Sequence, residues 1–307
     1  ARHTSPYKAV MDAAAKGWGP IVSVLQVALN VVDKVPSPVM TGVTTAARAV
    51  LPKDVIPLVG DDLPAGGPKR PSPQSTSADD FVFFSSCMGA LFAPAERSCG
   101  GGAGASFTRL VEKAGLRARV PEGLSKLCCG TVWVSKGFTD GADEMARRVY
   151  DSLWEASEHG RLPVVCDAAS CTHGLEETAN HLKGAEAENW AKVTVYDATT
   201  YVARFVLDRI QPRSKAGSVV IHPSCSMRHL DCVEDTVACA GFVSDDVTVP
   251  VNAGCCAFAG DRGLLHPELT RSATRAEAAE VAEREYDEYV SANRTCELGM
   301  SLSLIHI

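Results

Sequence analysis

The chain has 307 residues, 46% hydrophobic and 22% charged, with 30 basic and 37 acidic residues and a net charge of −7. That length carries two domains with a sizeable core. The absence of any Lys/Arg run argues against a nucleic-acid partner, and no segment reaches the roughly 18–20 uninterrupted apolar residues of a membrane span. No basic-then-apolar segment opens the sequence, so a cytoplasmic location is expected, with the inner face of a membrane as its variant.

In chain order, residues 1–62 are apolar, with helical stretches broken by Pro36, Pro38 and Pro52. Between Ile21 and Val35 only Ser23, Gln26, Asn30, Asp33 and Lys34 interrupt the apolar residues. Lacking a Lys/Arg face, this helical segment is expected to pack on missing N-terminal domains. Peripheral association with a membrane surface is the alternative. Residues 63–78, LPAGGPKRPSPQSTSA, read as a Pro/Gly/Ser linker.

Beyond it, three short apolar runs each end near a cysteine: DDFVFFSSC, RLPVVCDAASC and AGSVVIHPSC. Such runs, bounded by turn residues, read as buried strands. Helical patterns lie between them. Phe107, Leu110, Val111 and Ala114 make one stripe, with Gly115 as its stop. Met145, Val149, Leu153 and Ala156 make another, with Asp140 as candidate N-cap and Gly160 as its end. Alternating strand and helix implies an α/β fold with mostly parallel sheets, whose ligands bind beyond the carboxyl ends of the strands. The cysteines sit there. The glycines in CGGGAGAS (residues 99–106) precede a helix but lack the Lys-Ser/Thr of a nucleotide P-loop, so they read as a connection. The last six residues, Leu302–Ile307, match one reading frame of a transposon adapter used in sequencing libraries. They are expected to be an artefact at the end of a fragment.

Twelve cysteines are many for a chain without a secretion signal, which favours metal sites over a disulfide framework. Their spacing repeats. Cys87 stands 41 positions before the vicinal pair Cys128–Cys129, and Cys171 stands 42 after it. Cys225 stands 30 before the second pair, Cys255–Cys256, and Cys296 stands 40 after it. The chain therefore carries Cys…Cys-Cys…Cys twice, an internal repeat over about 79–213 and 214–301. Thiolates are soft ligands suited to iron–sulfur clusters or zinc. Vicinal cysteines diverge from one backbone and fit a cluster with several corners more easily than one tetrahedral ion. The glycine after the first pair, Gly130, would let the backbone approach the sulfurs, whereas the second pair is followed by alanine. Cys99, Cys232 and Cys239 read as core residues, and Cys166 stays open.

The doubled C…CC…C pattern resembles the cysteine-rich CCG domain of heterodisulfide reductase subunits, glycolate oxidase iron–sulfur subunits and large flavin-dependent D-lactate (2-hydroxyacid) dehydrogenases. FFSSCMGALFAP, LCCGTVWVSKGF, VVCDAASCTHGL, IHPSCSMRHL, CCAFAGDRGLLHPELTRSATR and NRTCELGMS look most like the last group. The resemblance implies two pseudo-symmetric cysteine-rich halves and one or two clusters, of 4Fe-4S type. Cys87, Cys128, Cys129 and Cys171 would be the ligands of the first, and Cys225, Cys255, Cys256 and Cys296 those of the second. Gly130, His173, His222, Asp261 and Arg262 would stand in support; Asp167 is similarly placed with less support. It also implies FAD on a missing N-terminal part, with no FAD site in this chain. The partners implied are flavin and ferredoxin-like domains and a quinone or other acceptor. The family's closing C-x-x-C is absent, with Ala168 and Asn293 at the partner positions. This argues against the non-cubane, disulfide-cleaving chemistry of heterodisulfide reductase. The alternatives are a heterodisulfide-reductase-like or glycolate-oxidase-like subunit, and a zinc-stabilised or metal-free interaction domain.

Overall fold

The computed structural model describes residues 6–51, 53, 54, 56–60, 63–95, 98 and 101–304. It divides into two compact units, residues 1–25 with 67–210 and residues 26–66 with 211–307. Cys99 and the last three residues of the expected adapter tail lie outside the described residues. Three helices come first: α1 (Pro6–Lys16), α2 (Trp18–Val32) and α3 (Ser37–Val50). Pro38 falls in the first turn of α3, where a missing N–H costs nothing. On α2, Val24, Leu25, Val27 and Val31 are exposed, and on α3 Val39 and Val43. Among the described residues no single helix is long and apolar enough to cross a membrane; α1 and α2 pass that test only as a pair bent by 102°.

The first unit carries β1 (Phe81–Phe84), α4 (Cys87–Leu91), α5 (Ala103–Lys113), β2 (Ala118–Arg119), α6 (Thr131–Val134) and α7 (Thr139–Ala156). It continues through β3 (Val164–Cys166), α8 (Ala169–Glu176), α9 (Ala185–Trp190), β4 (Val195–Asp197) and α10 (Ala198–Phe205). The strands form an all-parallel sheet in the order β2-β1-β3-β4. β1 is buried on both faces, which is why FVFF is uninterrupted by polar residues. Phe107 and Val111 of α5, and Met145, Val149 and Leu153 of α7, are buried as the helical stripes require. Asp140 is not the N-cap of α7. Phe138 holds that position, and Asp140 pairs from the first turn with Lys8 of α1 at 2.5 Å. The helix also ends before Gly160, because Glu158 and His159 already take positive φ.

The second unit repeats the plan with β5 (Ser218–His222), α11 (Cys225–His229), α12 (Val233–Val243), β6 (Asp246–Thr248), α13 (Arg262–Leu265), α14 (Pro267–Val281), β7 (Glu288–Ser291) and α15 (Arg294–Leu304). Its parallel sheet runs β6-β5-β7. In both units the chain leaves the first strand for a neighbour on one side, then returns to the other side. The switch points fall between β1 and β3 and between β5 and β7, where open α/β sheets bind ligands.

Candidate metal centres

Each repeat cysteine follows the carboxyl end of a strand. Cys87 opens α4 after β1, Cys128 and Cys129 lie in the loop after β2, and Cys171 is in α8 after β3. All four are buried. The Cys87 and Cys128 sulfurs are 3.9 Å apart. Cys129 is within hydrogen-bonding reach of Cys128 and Cys171, and its sulfur lies 3.3 Å from the Thr131 hydroxyl. Those neighbours, Cys128 foremost, hold the Cys129 thiol well below its ordinary range, while Cys129 pushes Cys171 up. Cys166, the last residue of β3 and fully buried, joins the row through Cys171. Five thiols thus run 87–128–129–171–166. Among the described residues no three of them fall within 4.8 Å of one another.

Three residues not assigned from the sequence shape this centre. Arg70 lies within the Pro/Gly/Ser stretch. Its guanidinium donates to the carbonyls of Leu124, Leu127 and Ser85, fixing the loops that carry Cys128 and Cys87, and stacks over Phe84 at 5.2 Å. The indole N–H of Trp18 is buried without an oxygen or nitrogen acceptor and lies within reach of the Cys87 sulfur. Gly174, three residues after Cys171, lets α8 approach the Cys129 carbonyl so closely that a Cβ there would meet it at 3.0 Å. Its counterpart is Gly299, three residues after Cys296, where a Cβ would sit 3.5 Å from that of Cys256. The doubled C-x-x-G was visible in CTHG and CELG. No sequence signal marked Arg70 or Trp18.

Asp167 ties the β1 and β3 loops together, accepting from the Ser86 N–H at 2.6 Å and the Ser85 hydroxyl at 3.4 Å; burial pushes its carboxyl up. Gly104 approaches this carboxylate so closely that a Cβ there would meet it at 2.5 Å; it lies in the first turn of α5, so the glycine stretch read as a connection enters the helix from Ala103. Gly130 takes φ +89°, so its role is conformational. Ala257, after the second pair, also takes a positive φ of 54°. The left-handed residue after the pair is therefore common to both repeats, and nothing lies within 4 Å of where a Cβ would stand at Gly130, so the turn and not a close approach calls for glycine there. His173 is half-exposed, with Nε2 3.8 Å from Glu177.

The second repeat differs. Cys256 and Cys296 are buried with sulfurs 3.1 Å apart, while Cys225 and Cys255 are exposed and interact with each other. His222, the last residue of β5, is buried beside them. Its Nδ1 lies 2.8 Å from the buried Glu277 carboxylate, and its Nε2 has no oxygen or nitrogen partner. The ligating atoms of His222, Cys256 and Cys296 all lie within 4.8 Å of one another. Burial alone would lower the imidazole, but Cys256 and Glu277 outweigh it and hold His222 up at about 9. Hydrogen bonds from Cys296 and then His222 bring Cys256 down to about 5. Asp261 caps α13 through its carbonyl, and Arg262 is exposed within electrostatic reach of Asp54. Cys232 is buried and Cys239 half-buried.

The donor chemistry of the first centre fits a cluster. Soft thiols extend over more than one ion's span, and a buried N–H faces sulfur.

Residues 81–176 and 219–301 match the family of cysteine-rich domains designated CCG. The glycolate oxidase iron–sulfur subunit of Escherichia coli (strain K12) is 26% identical over 152 residues, 47% of this chain and 37% of that protein. The matched stretch thus spans little more than a third of that relative.

Proposed function

From the premise that this chain belongs to the CCG family of cysteine-rich domains, we propose that it is the iron–sulfur electron-transfer portion of a flavin-linked enzyme oxidising a 2-hydroxy acid, D-lactate in the reading from its motifs. The observation that carries this is the buried row of five thiols gathered at a switch point from three strand ends. Cys87, Cys128, Cys129 and Cys171 would hold the cluster, with Cys166 beside them. When bound, the cluster supplies one-electron storage on thiolate-ligated iron. The chain's own residues do the rest. Arg70 fixes two ligand loops, and its charge beside Cys87 favours the thiolate. The Trp18 N–H would donate toward the Cys87 sulfur and, with Cys129 as a thiolate, the Thr131 hydroxyl toward that one, which raises a potential. The buried surround excludes water.

Substrate oxidation belongs to a flavin-bearing partner, on the same chain or a separate one, and electrons leave toward a quinone or similar acceptor at the cytoplasmic face of a membrane. The exposed valines of α2 and α3 support a covering protein. A separate subunit of glycolate-oxidase type is the second reading, favoured by the similarity to that iron–sulfur subunit.

The test is iron, sulfide and zinc content, with an absorption spectrum, on protein purified without oxygen. About four irons and four sulfides per occupied repeat, with a broad visible band that bleaches on reduction and is lost in Cys128→Ser but not Cys239→Ser, is expected. Zinc alone, or a folded chain without metal, overturns electron transfer.

A further inference from the structure

The two repeats can be compared position by position. Three residues before the first cysteine stands Phe84 in one and His222 in the other; five before the last stands Cys166 in one and Ser291 in the other. These positions face each other across the sheet, since Phe84 pairs with Cys166 and His222 with Ser291. The fifth donor has therefore changed strand and type, from a thiol on β3 to an imidazole on β5.

We infer that the second repeat holds a single tetrahedral ion of the zinc class, through His222, Cys256 and Cys296, and not an iron–sulfur cluster. Around one ion with metal–sulfur bonds of about 2.3 Å, tetrahedral thiolates stand about 3.8 Å apart. The compact His222–Cys256–Cys296 triple is of that scale, whereas in the first repeat, among the described residues, sulfurs approach in pairs and no three gather so closely. Nδ1 of His222 faces a carboxylate, which accepts only, so this nitrogen donates and Nε2 presents its lone pair on metal binding. Nε2 is buried, without an oxygen or nitrogen partner, and lies beside the Cys256 sulfur. A ligating histidine usually has such a carboxylate behind it, fixing tautomer and ring plane. Glu277 is a positioning residue in this sense. The exposed pair Cys225 and Cys255 leaves a fourth donor at the open side. Zinc has no redox chemistry, so the second centre braces β5 against α15 and the loop between β6 and α13, and leaves a single redox centre in the chain.

This rests on the iron–sulfur reading only for its contrast with the first repeat. The experiment uses the full chain purified without oxygen, with bound zinc and iron counted, then cobalt(II) added as a probe after zinc is removed. About one zinc per chain and about four irons are expected. Cobalt should give the strong ligand-field bands of a four-coordinate site with sulfur-to-metal charge transfer. His222→Gln should abolish the zinc equivalent and the four-coordinate cobalt spectrum. Glu277→Gln, nearly isosteric, should weaken zinc binding roughly 10–100-fold with the spectrum retained. Cys128→Ser should lose iron and leave zinc untouched. Iron near eight per chain, or zinc and cobalt binding unchanged in both His222→Gln and Glu277→Gln, overturns the inference. Loss of zinc in His222→Gln from a chain that never takes up iron would sustain this site and topple electron transfer instead.

Discussion

Replacing Arg70 by methionine keeps the apolar stem over Phe84 and removes the guanidinium. Three carbonyls, of Leu124, Leu127 and Ser85, lose their donor. A hydrogen bond to a charged group contributes about 1.5–3 kcal/mol. The lower end summed over three bonds is about 4.5 kcal/mol; Arg70 is half-buried, so water recovers part of this, and about 3–4 kcal/mol is the expected loss. The four tryptophans, Trp18, Trp133, Trp154 and Trp190, all lie in the first unit, so their fluorescence during urea unfolding reports that unit alone. Arg147→Met, which breaks an exposed pair with Glu144, is the control and should cost under about 0.5 kcal/mol. Because Arg70 holds the loops of Cys87 and Cys128, iron bound per chain should fall in Arg70→Met and not in the control. If Arg70→Met stays within about 1 kcal/mol of the unaltered chain and keeps its iron, the guanidinium does not organise the centre.

Gly130→Ala should destabilise the first unit by about 0.5–1 kcal/mol. No atom lies within 4 Å of the added Cβ, so the cost is conformational. It is a left-handed penalty of about 1–2 kcal/mol less the unfolded-state gain of about 0.4–1 kcal/mol. Ala257→Gly should stabilise the second unit by a similar amount, and paired urea melts moving in one direction would refute the shared turn. Burial holds the Asp197 carboxyl up at about 6 against its ordinary 3.8, despite hydrogen bonds from Thr199 and Thr172. The folded chain therefore keeps a proton that the unfolded chain releases between those values. The contribution of Asp197 to stability is therefore greatest below pH 3.8, falls through the window and levels off above about 6. Asp197→Asn should flatten that fall and gain up to about 3 kcal/mol at pH 7, read from urea midpoints across pH; an unchanged profile would refute it.

Much of the scaffold was legible because apolar pattern alone dictates it. FVFF, VVC and SVVIH are unbroken since both faces of their sheets are covered, and the stripe of α7 is continuous over its buried turns. The remaining strands escaped because they are short or edge-like: β2 has two residues, and Glu288, Tyr289 and Val290 of β7 are exposed. The repeat cysteines were legible from spacing, since a doubled pattern needs no structure to be seen. Arg70 and Trp18 were not, because each reaches the first centre from a segment distant in sequence. Their composition there, a Pro/Gly/Ser stretch and an apolar helix, points to connection and packing rather than chemistry.

What the repeats share and where they part separates frame from function. Both keep the left-handed residue after the cysteine pair, at Gly130 and Ala257, and the glycine three residues past the last cysteine, at Gly174 and Gly299. These are backbone requirements. A turn must reverse and a helix must come close, whatever the sulfurs hold. Alanine at 257 accepts strain rather than give up the turn, so the loop geometry outranks the local preference of its residue. The donors obey no such constraint. A phenylalanine can stand where a histidine stands, and a serine where a cysteine does, because each projects from the last residue of a strand already fixed by its neighbours. A duplicated frame of this kind can therefore change the metal it selects through one or two side chains at strand ends. The buried Glu277 behind His222 belongs with the donor exchange: a carboxylate 2% exposed in a helix interior is costly unless its partner needs it.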